Sequence, residues 1–481
     1  MKGRTLENKP MDETWSALWT AERLPRLILV CLGIWLNAAD ALVTATIMPS
    51  VARDIGGYAF FAWPVAAYLV GAILGGASAG RLSERSGLRA ALVVSAFFYA
   101  TGCAVGALAP GMGLFLLGRF LQGAGAGLIV GLCYVSTGLF FPGDLWRRVL
   151  ALLSLMWGVA TILGPLLGGM FAESWRLLFW MFGVQAILFA GIAWMLVPRH
   201  SAVASDAPVP VATLARLGLA ILLFLLAGTV GEPWRAAAAL FLGAVFLVAA
   251  LRRDAVARVR LLPREASNPG TPAGQGYLAI FLFAASAVGF TVYGAAILQA
   301  RYGLSPLFAG YVIGAEAMAW TLVALAVTWL PLHTDRVCIR AGGGAIAVAI
   351  ASLIFSFPSG SLPAVLVSAT VLGGGFGAMW AFLTRHIVET LSAEDRGVGS
   401  SALPAAQMIG NAFGSSIAGL VANAAGAAAG VSARNAGSIA VWVFVVAVPI
   451  AWTGWLFAWR ATRHVFIASE GTRSATEGVT L

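Results

Sequence analysis

The stretch "GRLSERSGLR", residues 80–89, returns in altered form as "PLHTDRVCIR", residues 331–340. Glu84 aligns with Asp335, Arg85 with Arg336 and Arg89 with Arg340, all at one offset. Each copy is a small charged island that follows a long apolar run. Two such islands half a chain apart predict two parallel six-span halves, an arrangement of membrane transporters related by an axis along the membrane normal.

Composition supports the membrane. Of 481 residues, 60% are hydrophobic and 10% charged, against roughly 25% charged in soluble domains. Apolar runs of about 20 residues, the length of a helical crossing, recur at 27–49, 59–80, 89–108, 113–140, 148–171, 177–197, 212–230, 235–251, 277–300, 306–330, 338–357, 362–384, 400–424 and 436–459. Helices satisfy their own backbone hydrogen bonds in hydrocarbon, so every crossing is read as helical. The expectation is an all-α integral membrane protein of fourteen transmembrane helices, two six-helix pseudo-repeat bundles joined by two extra helices.

Pro, Ser and Gly mark cytoplasmic linkers at "PRHSAVASDAPVPVA" (198–212) and "LRRDAVARVRLLPREASNPGTPAGQG" (251–276). The chain therefore divides into a cytoplasmic segment 1–26, a bundle 27–197, linkers with two extra spans 198–276, a second bundle 277–459 and a cytoplasmic tail 460–481. With the amino terminus inside, most of the 30 Lys and Arg fall in tails and cytoplasmic loops. Arg53, Arg176, Arg235, Arg301 and Arg434 fall outside, and Arg119 lies within a span. That asymmetry places both termini in the cytoplasm and makes the net charge of +10 a matter of topology, with no nucleic acid implied. Glu7, Asp12, Glu13 and Glu22 and the lack of a small-residue cleavage site argue against a removable signal peptide. Arg far outnumbers Lys, a GC-rich bacterial signature that points to an inner membrane.

Cys31, Cys103, Cys133 and Cys338 show no paired spacing and read as small apolar packing. His200, His333, His386 and His464 sit at cytoplasmic ends without ligand spacing, so neither a metal nor a cofactor is expected. There is no GxxxxGK[ST] loop for a nucleotide.

Three charges lie well inside the spans: Asp40, Arg119 and Glu316. At about 1.5 Å per residue all three fall ~9–15 Å below the same face, where a transporter binds its cargo. Asn37, Asp40 and Thr44 share one helical face, as do Arg119 with Gln122 and Glu316 with Trp320; Gln407, Asn411 and Ser415 form a polar stripe. Such stripes are either cavity lining or interhelical glue worth about 0.6 kcal/mol per contact. Asp40 is either half of a static ion pair with Arg119 or a carboxylate that loads and releases a proton as its distance to Arg119 changes. Glu316, beside Trp320, suits a lipophilic cation through charge and cation–π contact, or serves as a second proton site.

The motifs carry a resemblance. "GRLSERSGLR" resembles the GxLaDRxGRK loop of the major facilitator superfamily, keeping Gly80, Leu82, Arg85, Gly87 and Arg89, with Glu84 for Asp. "LLGRFLQGAGAGL" (116–128) resembles its RxxQG motif through Arg119, Gln122 and Gly123. "WGVATILGPLLGG" (157–169) resembles the antiporter motif GPxxGG through Gly164, Pro165, Gly168 and Gly169, with Ala160 replacing an upstream glycine. "WLNAADALVTATIMP" (35–49) resembles the first-span motif of the fourteen-span drug:proton antiporters, with Asp40 and Pro49 kept and Leu42 and Ala45 replacing Thr and Asn. The resemblance implies a gate latch at Glu84, Arg85 and Arg89 and at Asp335, Arg336 and Arg340, and a bending or packing role for 164–169.

Together these readings predict a monomeric secondary active transporter that exports hydrophobic, cationic compounds in exchange for protons by alternating access. Export of an endogenous metabolite or siderophore, or lipid flipping, stays open because of Leu42 and Ala45. A membrane enzyme would want a catalytic cluster that is not visible, and a receptor would want a soluble domain.

Overall fold

A computed structural model describes residues 17–142, 145–199, 210–230, 232–257, 260–331, 334–392 and 395–463. Most of the expected terminal segments and of the 198–212 linker, with His200, His333 and His464, lie outside the described residues. Among the described residues there are thirteen α-helices and no strand: α1 Arg23–Ile55, α2 Trp63–Ala107, α3 Met112–Phe140, α4 Trp146–Met170, α5 Trp175–Leu196, α6 Val211–Ala227, α7 Pro233–Val256, α8 Pro272–Tyr302, α9 Pro306–Ala326, α10 Asp335–Ser356, α11 Leu362–Thr390, α12 Arg396–Ala424 and α13 Ala436–Ala461.

This count departs from the fourteen expected, and the reason is local. The expected spans 59–80 and 89–108 run through the single 45-residue element α2, which is interrupted where Gly87 takes φ 78° and ψ 154°. A positive φ costs glycine little, so the backbone turns there without strain. Eleven of the described helices are long and apolar enough to cross a membrane. The 17 residues of α6 fall short of that length, and the polar stripe Gln407, Asn411, Ser415 lowers the hydropathy of α12. Arg216, grouped in sequence with the loop charges, lies one turn inside α6 and donates to the Ala212 carbonyl at 2.8 Å.

Helix starts follow local chemistry. Thr271, Ser305 and Ser361 each cap α8, α9 and α11 through a side-chain oxygen that accepts a backbone N–H, and each is followed by proline in the first turn. Such caps satisfy N–H groups that the helix itself leaves unpaired. Outward faces are apolar, as at Trp180, Val184, Leu188 and Met195, which suits a hydrocarbon solvent.

The same close crossing appears twice. An ideal Cβ on Gly123 would lie 2.0 Å from the Tyr68 carbonyl, and one on Gly127 would lie 2.0 Å from that of Ala72. In the second half, Gly373 and Gly377 stand against the carbonyls of Glu316 and Trp320 at 1.8 and 2.4 Å. Only hydrogen fits at such sites, and small residues let membrane helices approach this closely. Thus α2 on α3 is repeated by α9 on α11, with Glu316 at the position of Tyr68. The helix α6 lies over both sets, packing on Ile73 of α2 and on Ile409 and Phe413 of α12.

Contacts between the two sets lie at the end remote from the chain termini. The Asn423 side chain donates to the carbonyls of Ala59 and Gly228 at 2.7 and 2.8 Å, and Phe61 stacks on Tyr293 at 5.3 Å. A Cβ on Gly169 would lie 2.4 Å from Leu307, and one on Gly310 would lie 2.8 Å from the Thr46 hydroxyl. At the terminal end, polar contacts such as Tyr277 to the Gly399 carbonyl at 2.6 Å run inside one set.

Candidate functional site

Asp40 lies mid-way along α1, and the structure brings it against Arg119 of α3. One guanidinium nitrogen, Arg119 Nη1, donates to both carboxylate oxygens at 2.9 Å. Gln122 donates to Asp40 Oδ1 at 2.8 Å and accepts from Arg119 at 2.6 Å. The guanidinium carbon sits 4.5 Å from the Tyr68 ring centroid, and the Tyr68 hydroxyl donates to Asn37 at 2.8 Å. Asp40 and Arg119 are 1% and 2% exposed, so this is a charged pair fully removed from solvent. It spans three helices: α1 brings Asn37 and Asp40, α2 Tyr68, and α3 Arg119 and Gln122.

The arrangement follows from packing. Gly123 and Gly127 draw α3 onto α2, which sets Arg119 beside Tyr68. A buried charge needs both a counter-charge and hydrogen bonds, and Gln122, one turn beyond Arg119, supplies the latter. The structure keeps Gln122 and Thr44 buried, inside the first set of helices. Arg119 Nε has no hydrogen-bond partner among the described residues, which leaves polar capacity in the network for a rearranged geometry.

The other interior carboxylate stands apart. Glu316 is half-buried and makes no hydrogen bond or ion pair among the described residues. Trp320, one turn on, stacks on Phe376 at 4.8 Å with an 8° interplanar angle, and Trp380 lies 5.6 Å from it. The result is a carboxylate next to three aromatic rings, with Phe376 unforeseen in the sequence because any span carries stray aromatics. Gln407 and Asn411 of α12 are half-buried.

The residues of the two charged islands bind helix ends within each set. Arg89 donates to the Val197 carbonyl and lies 5.3 Å from the Trp194 ring, tying the second part of α2 to the end of α5. Arg340 donates to the Thr462 hydroxyl at 3.1 Å and lies 5.1 Å from Trp459, tying α10 to the end of α13. Asp335 pairs with Arg385 at the end of α11, a partner that sequence spacing did not single out. The counterpart Glu84 has one carboxylate oxygen buried without a hydrogen bond. Gly80 has open space at its Cβ position, Arg85 is exposed, and Arg336 is half-buried.

Residues 164–169 lie at the crossing of α4 with α1 and α9. A Cβ on Gly164 would meet Leu42 at 2.7 Å, and one on Gly168 would meet Thr46 at 2.8 Å. Pro165 lies against Gly310 and Gly314 of α9. This is one of the contacts through which the two helix sets meet, beside Asn423 to Ala59 and Phe61 on Tyr293. All four cysteines are free, and no cluster of potential metal ligands occurs among the described residues.

Comparison with known proteins converges on one family. The family described as Major Facilitator Superfamily matches residues 30–415. A probable multidrug-efflux transporter of Mycobacterium tuberculosis is 31% identical over 424 residues, covering 83% of this chain and 87% of that protein. The multidrug transporter protein MdtP of Bacillus subtilis is 22% identical over 413 residues, covering 82% and 74%. Among solved structures, a peptide transporter in complex with alafosfalin superposes with a TM-score of 0.67 at 13% identity, covering 91% of this chain and 95% of that one. A bacterial homologue of the human lysosomal transporter Spinster superposes with a TM-score of 0.66 at 16% identity, covering 92% and 98%. The fold, the multi-pass membrane character and these similarities agree, and the chain belongs to the Major Facilitator Superfamily.

Proposed function

We propose that this transporter exports hydrophobic, cationic compounds in exchange for protons. The observation that carries the reading is the buried Asp40–Arg119–Gln122 network, which holds a carboxylate in a low-dielectric interior against a single counter-charge. A change in helix packing that lengthens the 2.9 Å contact changes the proton affinity of Asp40, so proton binding and conformation are linked. Glu316, with no polar partner among the described residues and with Trp320, Phe376 and Trp380 nearby, offers charge and cation–π attraction to a lipophilic cation. Asn37, Gln407 and Asn411 supply polar contacts to the same cargo.

In this reading α2 crosses the bilayer twice around Gly87 and α6 and α12 also cross, giving fourteen spans with both termini in the cytoplasm of a bacterial inner membrane. The remote end, closed by Asn423, Phe61–Tyr293 and the 164–169 crossing, then faces outward, so the conformation is inward-facing. The islands at Glu84 and Asp335 act at the opposite gate, and a monomer suffices.

The test uses sealed proteoliposomes with an imposed proton gradient and a pH-sensitive dye. Lipophilic cations added one at a time are expected to collapse the gradient in wild type, and Glu316→Gln is expected to weaken that response about tenfold or more, as loss of a desolvated charge contact of ~1.4 kcal/mol implies. If no cation moves protons, a metabolite or lipid cargo becomes the better reading. An unchanged response in Glu316→Gln removes Glu316 from cation recognition.

A further inference from the structure

The two sets of helices differ where the last helix of each meets the membrane surface. On α13, Trp452, Trp455, Leu456 and Trp459 line an open groove of ≈ 570 Å³. Gly343 and Gly344 of α10 lie against the Trp455 indole, with Cβ positions 3.0 and 3.4 Å from its ring, so the ring seats closely on α10. The Trp455 N–H is spent on the Arg340 carbonyl at 2.8 Å, so the indole is fixed in place. Trp452 and Leu456 stay 43% and 42% exposed, facing the surroundings of the bundle.

At the terminal end of this groove two arginines, Arg340 and Arg463, face one indole, and Arg460 adds a third positive charge in the last turn of α13. The Arg463 guanidinium lies 3.6 Å from the Trp459 ring centroid and that of Arg340 lies 5.1 Å from it. That of Arg460 lies 5.9 Å from the Phe457 ring centroid. Among the described residues none of the three pairs with a carboxylate, and Asp335 is already held by Arg385. Two guanidiniums against one indole place like charges close together, and cation–π contact of about 0.5–1 kcal/mol each at an exposed site offsets only part of that cost. An anion between them would offset the rest.

The equivalent place in the first set keeps the arginine–tryptophan pair, Arg89 with Trp194, and lacks the rest. Counting from the Arg89 and Arg340 pair, Leu92 and Val93 stand where Gly343 and Gly344 do. Counting from the Trp194 and Trp459 pair, Ala190 stands for Trp455, Met195 for Arg460 and Pro198 for Arg463. The repeat explains the arginine that ties helix ends in both sets. It leaves the tryptophan-lined groove and the extra arginines of the second set unexplained by architecture.

We propose that the groove along α13, beside α10, binds one anionic glycerophospholipid, with an acyl chain along Trp452, Trp455 and Leu456 and the phosphodiester between Arg340 and Arg463, Arg460 adding positive charge at the same helix end. Charge complementarity selects the headgroup, because basic pockets beside membrane helices attract anionic lipid by about 1 kcal/mol per arginine. Trp459 lies in the last turn of α13, where a membrane-spanning helix favours amphipathic rings. The site depends only on the chain being a membrane protein, so it stands or falls separately from proton coupling and cargo.

The test is native mass spectrometry of the full chain in detergent, titrated with phosphatidylglycerol or with phosphatidylcholine. Wild type is expected to retain one phosphatidylglycerol at concentrations where phosphatidylcholine is lost. Arg460→Gln with Arg463→Gln, both exposed and free of helix-end bonds, should weaken that adduct about 25-fold, roughly fivefold per arginine. Gly344→Leu, which keeps the arginines and displaces the Trp455 indole from its seat on α10, should remove it as well, while Arg216→Gln, a control charge at the same end, should not. Equal retention of both lipids, or an adduct unchanged in both groove variants, overturns the proposal. Displacement by millimolar glycerol phosphate also overturns it, since that would mark a free-anion site without an acyl component.

Discussion

Replacing Asp40 by Asn keeps the shape of the side chain and removes its charge, which makes the buried pair a test of two ideas at once. In the structure the carboxylate accepts three hydrogen bonds, two from Arg119 and one from Gln122. An amide keeps one acceptor oxygen and turns an NH2 toward Arg119 Nη1, so one of those contacts becomes donor against donor. The larger effect is on Arg119, left 2% exposed without a counter-charge. Breaking a buried ion pair from one side costs about 3–5 kcal/mol, whereas a neutral hydrogen bond between membrane helices averages ~0.6 kcal/mol. The charge therefore decides the magnitude.

Asp40→Asn and Arg119→Gln are each expected to lose about 3 kcal/mol or more of unfolding free energy in mixed detergent micelles. The double variant, with two neutral amides in contact, should return to within about 1 kcal/mol of wild type. Transport separates from stability in the same proteins. The double variant is expected to exchange substrate downhill yet to show no acceleration by a proton gradient in proteoliposomes. A double variant as unstable as the sum of the singles would refute the ion-pair energetics. Full gradient-driven transport by Asp40→Asn would refute the coupling role whatever its stability.

Two further tests follow from packing. Gly123→Ala places a methyl 2.0 Å from the Tyr68 carbonyl, so α2 and α3 must part, and about 1–3 kcal/mol of stability should be lost; Gly113→Ala, which has open space at that position, should be neutral or gain up to about 1 kcal/mol. Thermal unfolding in detergent compares them, and equal midpoints would contradict the close crossing. A Cβ on Gly419 lies 2.9 Å from that of Ala62, near the ~3.5–4.5 Å that a disulfide bridges. Ala62→Cys with Gly419→Cys should therefore cross-link on oxidation and halt transport reversibly, and failure of the pair to cross-link in membranes would contradict a closed remote end.

The parts legible in sequence share a physical cause: they repeat or they are expensive. Hydropathy exposed the helices because lipid demands long apolar runs, and Asp40 with Arg119 stood out because charge in such a run is costly. Their pairing was inferable because a cost on one helix calls for relief on another. Gly87 could be read as a motif residue, but the single α2 element around it could not, since a positive φ leaves no mark beyond the glycine itself. Tyr68 was visible only as one more aromatic; its place between Arg119 and Asn37 depends on how far Gly123 lets α3 approach. Arg385 was hidden for a similar reason, because its ion pair with Asp335 joins helix ends whose separation the sequence does not set.

The repeated crossing also accounts for why the two interior carboxylates differ so sharply. Arg119 sits four residues before Gly123, and the residue four before Gly373 is Ala369. Tyr68 and Glu316 occupy matching positions against those glycines, each with its carbonyl at the contact. In the first set the matching position holds an aromatic ring, and the guanidinium stacks on it while turning its charge to Asp40. In the second set it holds a carboxylate, and alanine stands where a guanidinium would neutralise it. One backbone geometry thus yields a closed ion pair on one side and an unspent negative charge on the other. Among the described residues the Glu316 charge has no protein partner beside Trp320 and Phe376, which is the contrast on which the proposed cation role rests; in the first set Asp40 is already paired with Arg119.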